Sequence, residues 1–327
     1  MTRSTRTQQN SLQKQMTPAA VLSRFGVLIA FAIMLIFLSV ATNTFLTPKN
    51  LINVVRQVSV NGIIAVGMML VLLTGGIDLS VGSVVALSGV VAASFAQSGN
   101  YPVIVPVVMG VLVGVLVGII NGFLIVKVKI VPFIATMGML SMARGMALVY
   151  SNGRPISNLS EGFRFIGSGS LLNVLPVISL VMLACFLIGY VVMNKTRFGR
   201  YVYAIGGNEK ASRVSGLKVD QCKYLVYMIS AVFASLAGVV LAARINAGSP
   251  ASGEGYELDA IAAVVIGGTS LSGGVGTIWG TLLGVLIVGV LNNGLDLLNV
   301  SSYFQLITKG AIIVLAVAMD SRNKRSA

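Results

Sequence analysis

Histidine is absent from the 327 residues, cysteine occurs twice, tryptophan once, and only 9 residues are acidic. Without histidine the chain lacks the commonest general base, proton relay and transition-metal ligand. The two cysteines, Cys185 in an apolar run and Cys222 at the end of a basic loop, set no disulfide framework. Carboxylates do not cluster as in a cation cage, and no covalent nucleophile stands beside a base. A Gly-x-x-x-x-Gly-Lys-Ser/Thr phosphate loop is also missing, so the chain has no ATP-holding element of its own. These absences argue against an enzyme and against a bound cofactor or metal.

Apolar residues are what the chain has in abundance: 56% are hydrophobic and only 10% charged, for a mean hydropathy of +0.92. Such a composition belongs in lipid. The expected fold class is an all-α polytopic membrane protein. Apolar runs fall at roughly 25–46, 60–74, 79–97, 102–126, 131–150, 172–193, 223–245, 257–271, 276–299 and 303–320, or about ten crossings at about 20 residues each. The first run is too long for a signal-peptide core and is expected to remain as a helix.

The net charge of +14 suggests no nucleic-acid partner, because the basic residues lie between the apolar runs and encode topology. Arg3, Arg6, Lys14 and Arg24 precede the first run, Arg322, Lys324 and Arg325 follow the last, and a cluster runs from Lys195 to Lys223. With Lys127 and Lys129 these fall on one side of a ten-crossing chain. Both termini are therefore expected in the cytoplasm: a tail over 1–24, a membrane domain over 25–320 and a tail over 321–327.

Two runs end at glycine, one at Thr74-Gly75-Gly76 and one near Gly267-Gly-Thr-Ser-Leu-Ser-Gly-Gly274. Irregular backbone at membrane depth survives only where protein or a watery cavity surrounds it, so both breaks belong inside the bundle. The segment Thr47 to Ser59 reads equally as an amphipathic surface helix or a solvated linker. An internal echo links Gly110, Gly114, Gly118 and Asn121-Gly122 to Gly280, Gly284, Gly289 and Asn292-Asn-Gly294. It also links Asp78 before Val84-Val85 to Asp259 before Val264-Val265. The copies fall five crossings apart and so predict an inverted repeat, the first over about 60–150 and the second over about 223–320.

The glycines at four-residue spacing predict close helix packing. Ionisable groups within a span cost about 2.5–3.5 kcal/mol each at a helix centre, which marks Asp78, Glu257, Asp259 and Lys309. Helix-terminus or snorkelling roles are the plainer account of all of them. Asn121, Asn292 and Asn293 suit either bridging between helices or contact with the hydroxyls of a neutral solute. The candidates for a translocation path are Asn61, Asp78, Ser80, Ser83, Asn121, Asp259, Thr269, Ser270, Asn292 and Asn293. In the basic loop over 194–223, Asn208 suits the cap of a short helix that Gly216 terminates. That helix is either an ordinary surface helix or a docking element.

At this loop a resemblance becomes specific. The stretch from Gly199 to Gly216, with Gly206-Gly-Asn-Glu-Lys-Ala-Ser-Arg213, is similar to the cytoplasmic coupling loop of sugar permeases in ABC importers. Gly75-Gly-Ile-Asp-Leu-Ser-Val-Gly-Ser83, Gly255 to Gly274, Asn292-Asn-Gly-Leu and Ser301-Ser-Tyr-Phe304 also resemble that family, over about Phe45 to Asp320. The resemblance implies the type II importer permease fold in a homodimer. A periplasmic sugar-binding protein would sit outside, and a cytoplasmic ATP-binding subunit with tandem nucleotide-binding halves, holding ATP and Mg, would sit inside. Gly207, Asn208, Glu209, Lys210, Ala211, Ser212, Arg213, Ser215 and Gly216 would form the ATPase-coupling loop. The implied setting is the bacterial inner membrane and the implied cargo a monosaccharide, ribose first, although permeases for galactose, xylose, arabinose and a furanosyl autoinducer share most of these residues. The rival class is a gradient-driven transporter or channel with a coupling-ion site built from Asp78, Glu257, Asp259 and Lys309.

Overall fold

The computed structural model describes residues 18–97, 100–172 and 175–325. The tail up to residue 17, with Arg3, Arg6 and Lys14, lies outside these residues, as does the end of the C-terminal tail at 326–327. Among the described residues, those from Pro18 to Asn43 form one compact unit and those from Thr44 another. In the first unit, helix α1 (Pro18–Ala41) covers the first apolar run.

The second unit is largely helical. Its helices are α2 (Pro48–Leu73), α3 (Val81–Ala96), α4 (Ile104–Val126), α5 (Pro132–Tyr150), α6 (Glu161–Ser168), α7 (Val177–Lys195), α8 (Arg197–Gly207), α9 (Glu209–Val214), α10 (Val219–Ile245), α11 (Tyr256–Ile266), α12 (Ile278–Leu297) and α13 (Ser302–Arg325). Four two-residue strands pair antiparallel: β1 (Ile156–Ser157) with β4 (Ala247–Gly248), and β2 (Ser170–Leu171) with β3 (Leu175–Pro176). Each apolar run of the sequence coincides with a helix. Among the described residues six helices, α2, α4, α5, α7, α10 and α12, are long and apolar enough to cross a bilayer. Gly26–Ala41 within α1 and Val81–Ala96 are shorter apolar helices.

The first half of α2 departs from expectation. Thr47 to Ser59 is neither a separate surface helix nor a linker, because α2 runs unbroken through its 26 residues, a length of about 39 Å at 1.5 Å per residue. Thr47, in extended backbone, accepts from Asn50 N and caps the helix, and Pro48 takes the first turn, where its missing N–H costs nothing. Polar residues that suggested water face protein instead. Asn50 is buried and exchanges both amide hydrogen bonds with Asn293 of α12, at 3.0 and 2.9 Å.

Helix α10 is the packing centre, lying against α4, α3 and α2. Its contact with α4 is a seam of glycines. A Cβ added at Gly110 would collide with Val239, at Gly114 with Ser235 and the Ala231 carbonyl, and at Gly118 with the Met228 backbone. The four-residue spacing read from sequence is thus a backbone-to-backbone approach, which lipid rewards through packing rather than hydrophobic exclusion. Gly280 and Gly284 do the same for α12 against α11, at the carbonyls of Gly267 and Ala263. Away from the seam, α4, α5 and α7 expose Leu116, Phe133, Ile134, Leu187 and Ile188, as lipid-facing helices do.

Both glycine breaks are present. The first separates α2 from α3, with Gly75 at φ +72°. The second spans 267–277, where Gly268, Gly273 and Gly274 take φ of +89°, +87° and +77°. The run expected over 257–271 therefore stops as a helix at Ile266.

Gly114→Val is expected to separate α4 from α10 and destabilise the fold by about 1–3 kcal/mol, the usual cost of overpacking. Gly138, with open space around it, is the control: Gly138→Ala leaves thermal unfolding in detergent unchanged.

Candidate functional site

Two regions gather the functional candidates: the hairpin joining α7 to α10, and the polar ground around the two breaks. The hairpin starts at Thr196, whose hydroxyl accepts from Gly199 N at 3.2 Å and opens α8. Helix α8 ends at Gly207, and Asn208 then caps α9 by accepting from Ala211 N at 2.9 Å. Gly216, at φ +83°, closes the element as read from sequence.

A line of charge ties α9 to the start of α10. Glu209 Oε1 takes Arg213 at 3.3 Å and Oε2 takes Lys223 at 2.6 Å, while Arg213 also reaches Asp220 at 2.8 Å. These pairs are half exposed, so each is worth about 0.2–1 kcal/mol and serves to orient rather than to stabilise. The Lys223 hydrogen bond, helped by Arg213, holds the Glu209 carboxyl below its ordinary range. The outward side of α9 is free. Lys210, Ala211, Arg213, Ser215 and Gly216 are exposed and Val214 stands 90% in the open, while Ser212 is buried beneath. Glu209, Lys210, Arg213 and Val214 line an open concavity.

Behind the hairpin, α8 rests on both breaks. The Tyr203 hydroxyl donates to Gly276 O at 2.9 Å. A Cβ at Gly206 would collide with Leu73 O and Gly274 N, and Gly274 N itself donates to Leu73 O at 2.9 Å. Backbone meets backbone here with no side chain between.

Around the first break, Asp78 is fully buried. Its Oδ1 accepts from Ser80 N at 3.0 Å and Ser80 Oγ at 2.6 Å, and its Oδ2 from Ser230 Oγ of α10 at 2.9 Å. Asn121 of α4 donates to Ser80 Oγ at 3.0 Å. Asp78, Ser80 and Asn121 are thus brought together as candidates, and Ser230 joins them. Ser83 is buried nearby in sequence, with its Oγ lacking a hydrogen-bond partner among the described residues.

The remaining candidates lie apart from this cluster. Asn293 pairs with Asn50, as the bridging alternative held. Asn61 and Asn292 are buried with their amide oxygens lacking partners among the described residues, and so is the Thr269 hydroxyl of the second break. Ser270 Oγ accepts from Ser272 N at 3.3 Å inside that break. Asp259, 4% exposed, pairs with Lys309 of α13 at 2.9 Å. Of the four groups proposed for an ion site, Asp78 is thus bound by serines and Asp259 by Lys309. Glu257 lies beside Gly82. Among the described residues no group of three or more His, Cys, Asp or Glu is placed to hold a metal ion. Sequence reading passed over Tyr203, Ser230 and Asn50, since each sat in a stretch already explained as loop, span or linker.

Two outcomes follow from the charges. Lys309→Met strands a buried carboxylate and is expected to cost about 3–5 kcal/mol, and pairing it with Asp259→Asn recovers most of the loss in thermal unfolding. Glu209 contributes fully above the ordinary carboxylate range, and its contribution is lost as pH falls through the lowered value of the folded chain. A spin label at Val214→Cys is therefore expected to be ordered at neutral pH and to loosen in acid, whereas with Glu209→Gln it is loose at both.

A family model described as branched-chain amino acid transport system / permease component matches residues 50–317. The chain is 50% identical over 312 residues to the ribose import permease protein of Bacillus subtilis (strain 168), covering 95% of this chain and 96% of that one. It is 45% identical over 301 residues to the ribose import permease protein of Escherichia coli (strain K12), covering 91% and 93%. The L-arabinose ABC transporter permease protein of Azospirillum brasilense is 39% identical, covering 94% and 91%. No solved structure matches the chain.

Proposed function

Because the chain belongs to the branched-chain amino acid transport system / permease component family, we propose that it is the membrane permease subunit of an ATP-driven importer whose cargo is ribose. The observation that carries this reading is its near full-length identity to two ribose import permeases, higher than that to the arabinose permease. Selectivity for ribose over other pentoses is assigned mainly to a separate sugar-binding protein on the outer side.

The chain itself is a transport subunit without an ATP site. Energy enters from a cytoplasmic ATPase with tandem nucleotide-binding halves, which holds the ATP and Mg. The capped helix α9 is the docking element: it presents Val214 to solvent beside the exposed Lys210 and Arg213, and its charged strap to Asp220 and Lys223 fixes its direction. A short exposed helix held at both ends transfers force, whereas a loose one absorbs it. ATP binding would then favour one of two states of the permease by differential contact at this point.

The ten-crossing topology with both termini in the cytoplasm belongs to the same reading, as does pairing with a second copy. The inverted repeat is supported by a parallel in the packing: buried Asp78 lies just before α3 and buried Asp259 in the first turn of α11, and each following glycine-rich helix lies against that shorter helix. The oxygens of Asn61, Asn292 and Thr269 that lack partners among the described residues are the groups we assign to the sugar path in the open states, where hydroxyls of cargo or water would meet them.

Reconstitution in vesicles tests the whole. Labelled ribose is expected to accumulate only with ATP, ATPase and binding protein together. Glu209→Ala with Arg213→Ala is expected to release the ATPase on purification. Accumulation against a gradient by the chain alone would overturn the proposal.

A further inference from the structure

The hairpin carries α9 at its tip, but a tip moves a membrane domain only if its root is stiff. That root is α8, and its last turn meets both helix breaks at once. Gly274 N donates to Leu73 O at 2.9 Å, so the loop over 267–277 is bonded to the end of α2. Gly206 of α8 fills the corner between them, where a Cβ would strike both Leu73 O and Gly274 N. A Cβ at Gly273 would lie 2.8 Å from Leu73 O and 2.9 Å from Gly75 N, so the two breaks are themselves in contact. No rotamer stands in this seat to absorb displacement.

The directional tie across the seat is Tyr203. Its neighbours Val202 and Ile205 are buried as ordinary packing of α8, while its own half-buried ring delivers the hydroxyl to Gly276 O at 2.9 Å. Gly276 lies two residues before α12. The bond therefore runs from the coupling hairpin to the entry of a spanning helix.

Resting on the importer reading, we infer that Tyr203 is a positioning residue of transport: its bond to Gly276 O, over the Gly206 seat, locks the hairpin to both intramembrane breaks so that the three move together. The path residues Thr269 and Ser270 lie in one of these breaks and Asp78 in the other. Motion at α9 is thereby converted directly into motion of the path.

Tyr203→Phe removes one oxygen and keeps the ring. In detergent-solubilised chain, amide exchange over 267–277 and 73–78 is expected to quicken about five- to tenfold, as the loss of one hydrogen bond predicts, with α4 and α5 unchanged. In the complex with ATPase and binding protein, ATPase binding is expected to persist while ATP hydrolysed per ribose imported rises about fivefold. Gly206→Ala is expected to give the same uncoupling more severely, whereas Gly138→Ala on α5, with open space around it, transports normally. Unchanged exchange in Tyr203→Phe, or hydrolysis and transport falling in proportion, overturns the inference alone. Failure of the unaltered chain to bind an ATPase overturns the importer reading, and this inference with it.

Discussion

Hydrocarbon offers no hydrogen bonds, so backbone that leaves a helix inside a membrane must find its partners within the protein. This chain does so by setting its two breaks against each other. The bond from Gly274 N to Leu73 O satisfies a donor of one break with the last carbonyl turn of the other. The glycines follow from this: Gly75, Gly273 and Gly274 supply left-handed backbone, and Gly206 leaves room for α8 to close the corner.

The same demand for close approach organises the bundle outside the breaks. Dispersion between tightly packed backbones is what remains to hold helices together when lipid is as apolar as leucine. Helix α10 therefore meets α4 along glycines, and polar side chains act as pins between helices rather than as solvent-facing groups. The Asn50–Asn293 pair pins α2 to α12, and Ser230 pins α10 to Asp78. In each case both partners are withdrawn from water, which makes a pin costly to leave half made.

Sequence patterns disclosed those features whose cause is local. Apolar runs marked the helices, Gly110-xxx-Gly114 marked the α4 seam, and Asn208 with Gly216 bounded α9, because capping and four-residue spacing act over a few residues. Features set by distant partners stayed hidden. Thr47 to Ser59 looked wet since nothing in it announces Asn293, 243 residues away from Asn50. The partner of Asp259 stayed hidden because Lys309 meets it only in three dimensions. Of the candidate site, the capped helix α9 was legible in outline, and its root at Tyr203 and Gly206 was not, because a tyrosine between Val202 and Ala204 reads as plain amphipathic surface.

The Asp259–Lys309 pair spans 50 residues of chain. During synthesis the carboxylate reaches the membrane first, and at about 5–20 residues per second its ammonium partner follows about 3–10 s later. Over that interval a lone acid on the short helix α11 has no reason to settle in lipid. The pair therefore ties the seating of α11 to that of α13, since neither charge is neutralised in the fold until both helices are in place.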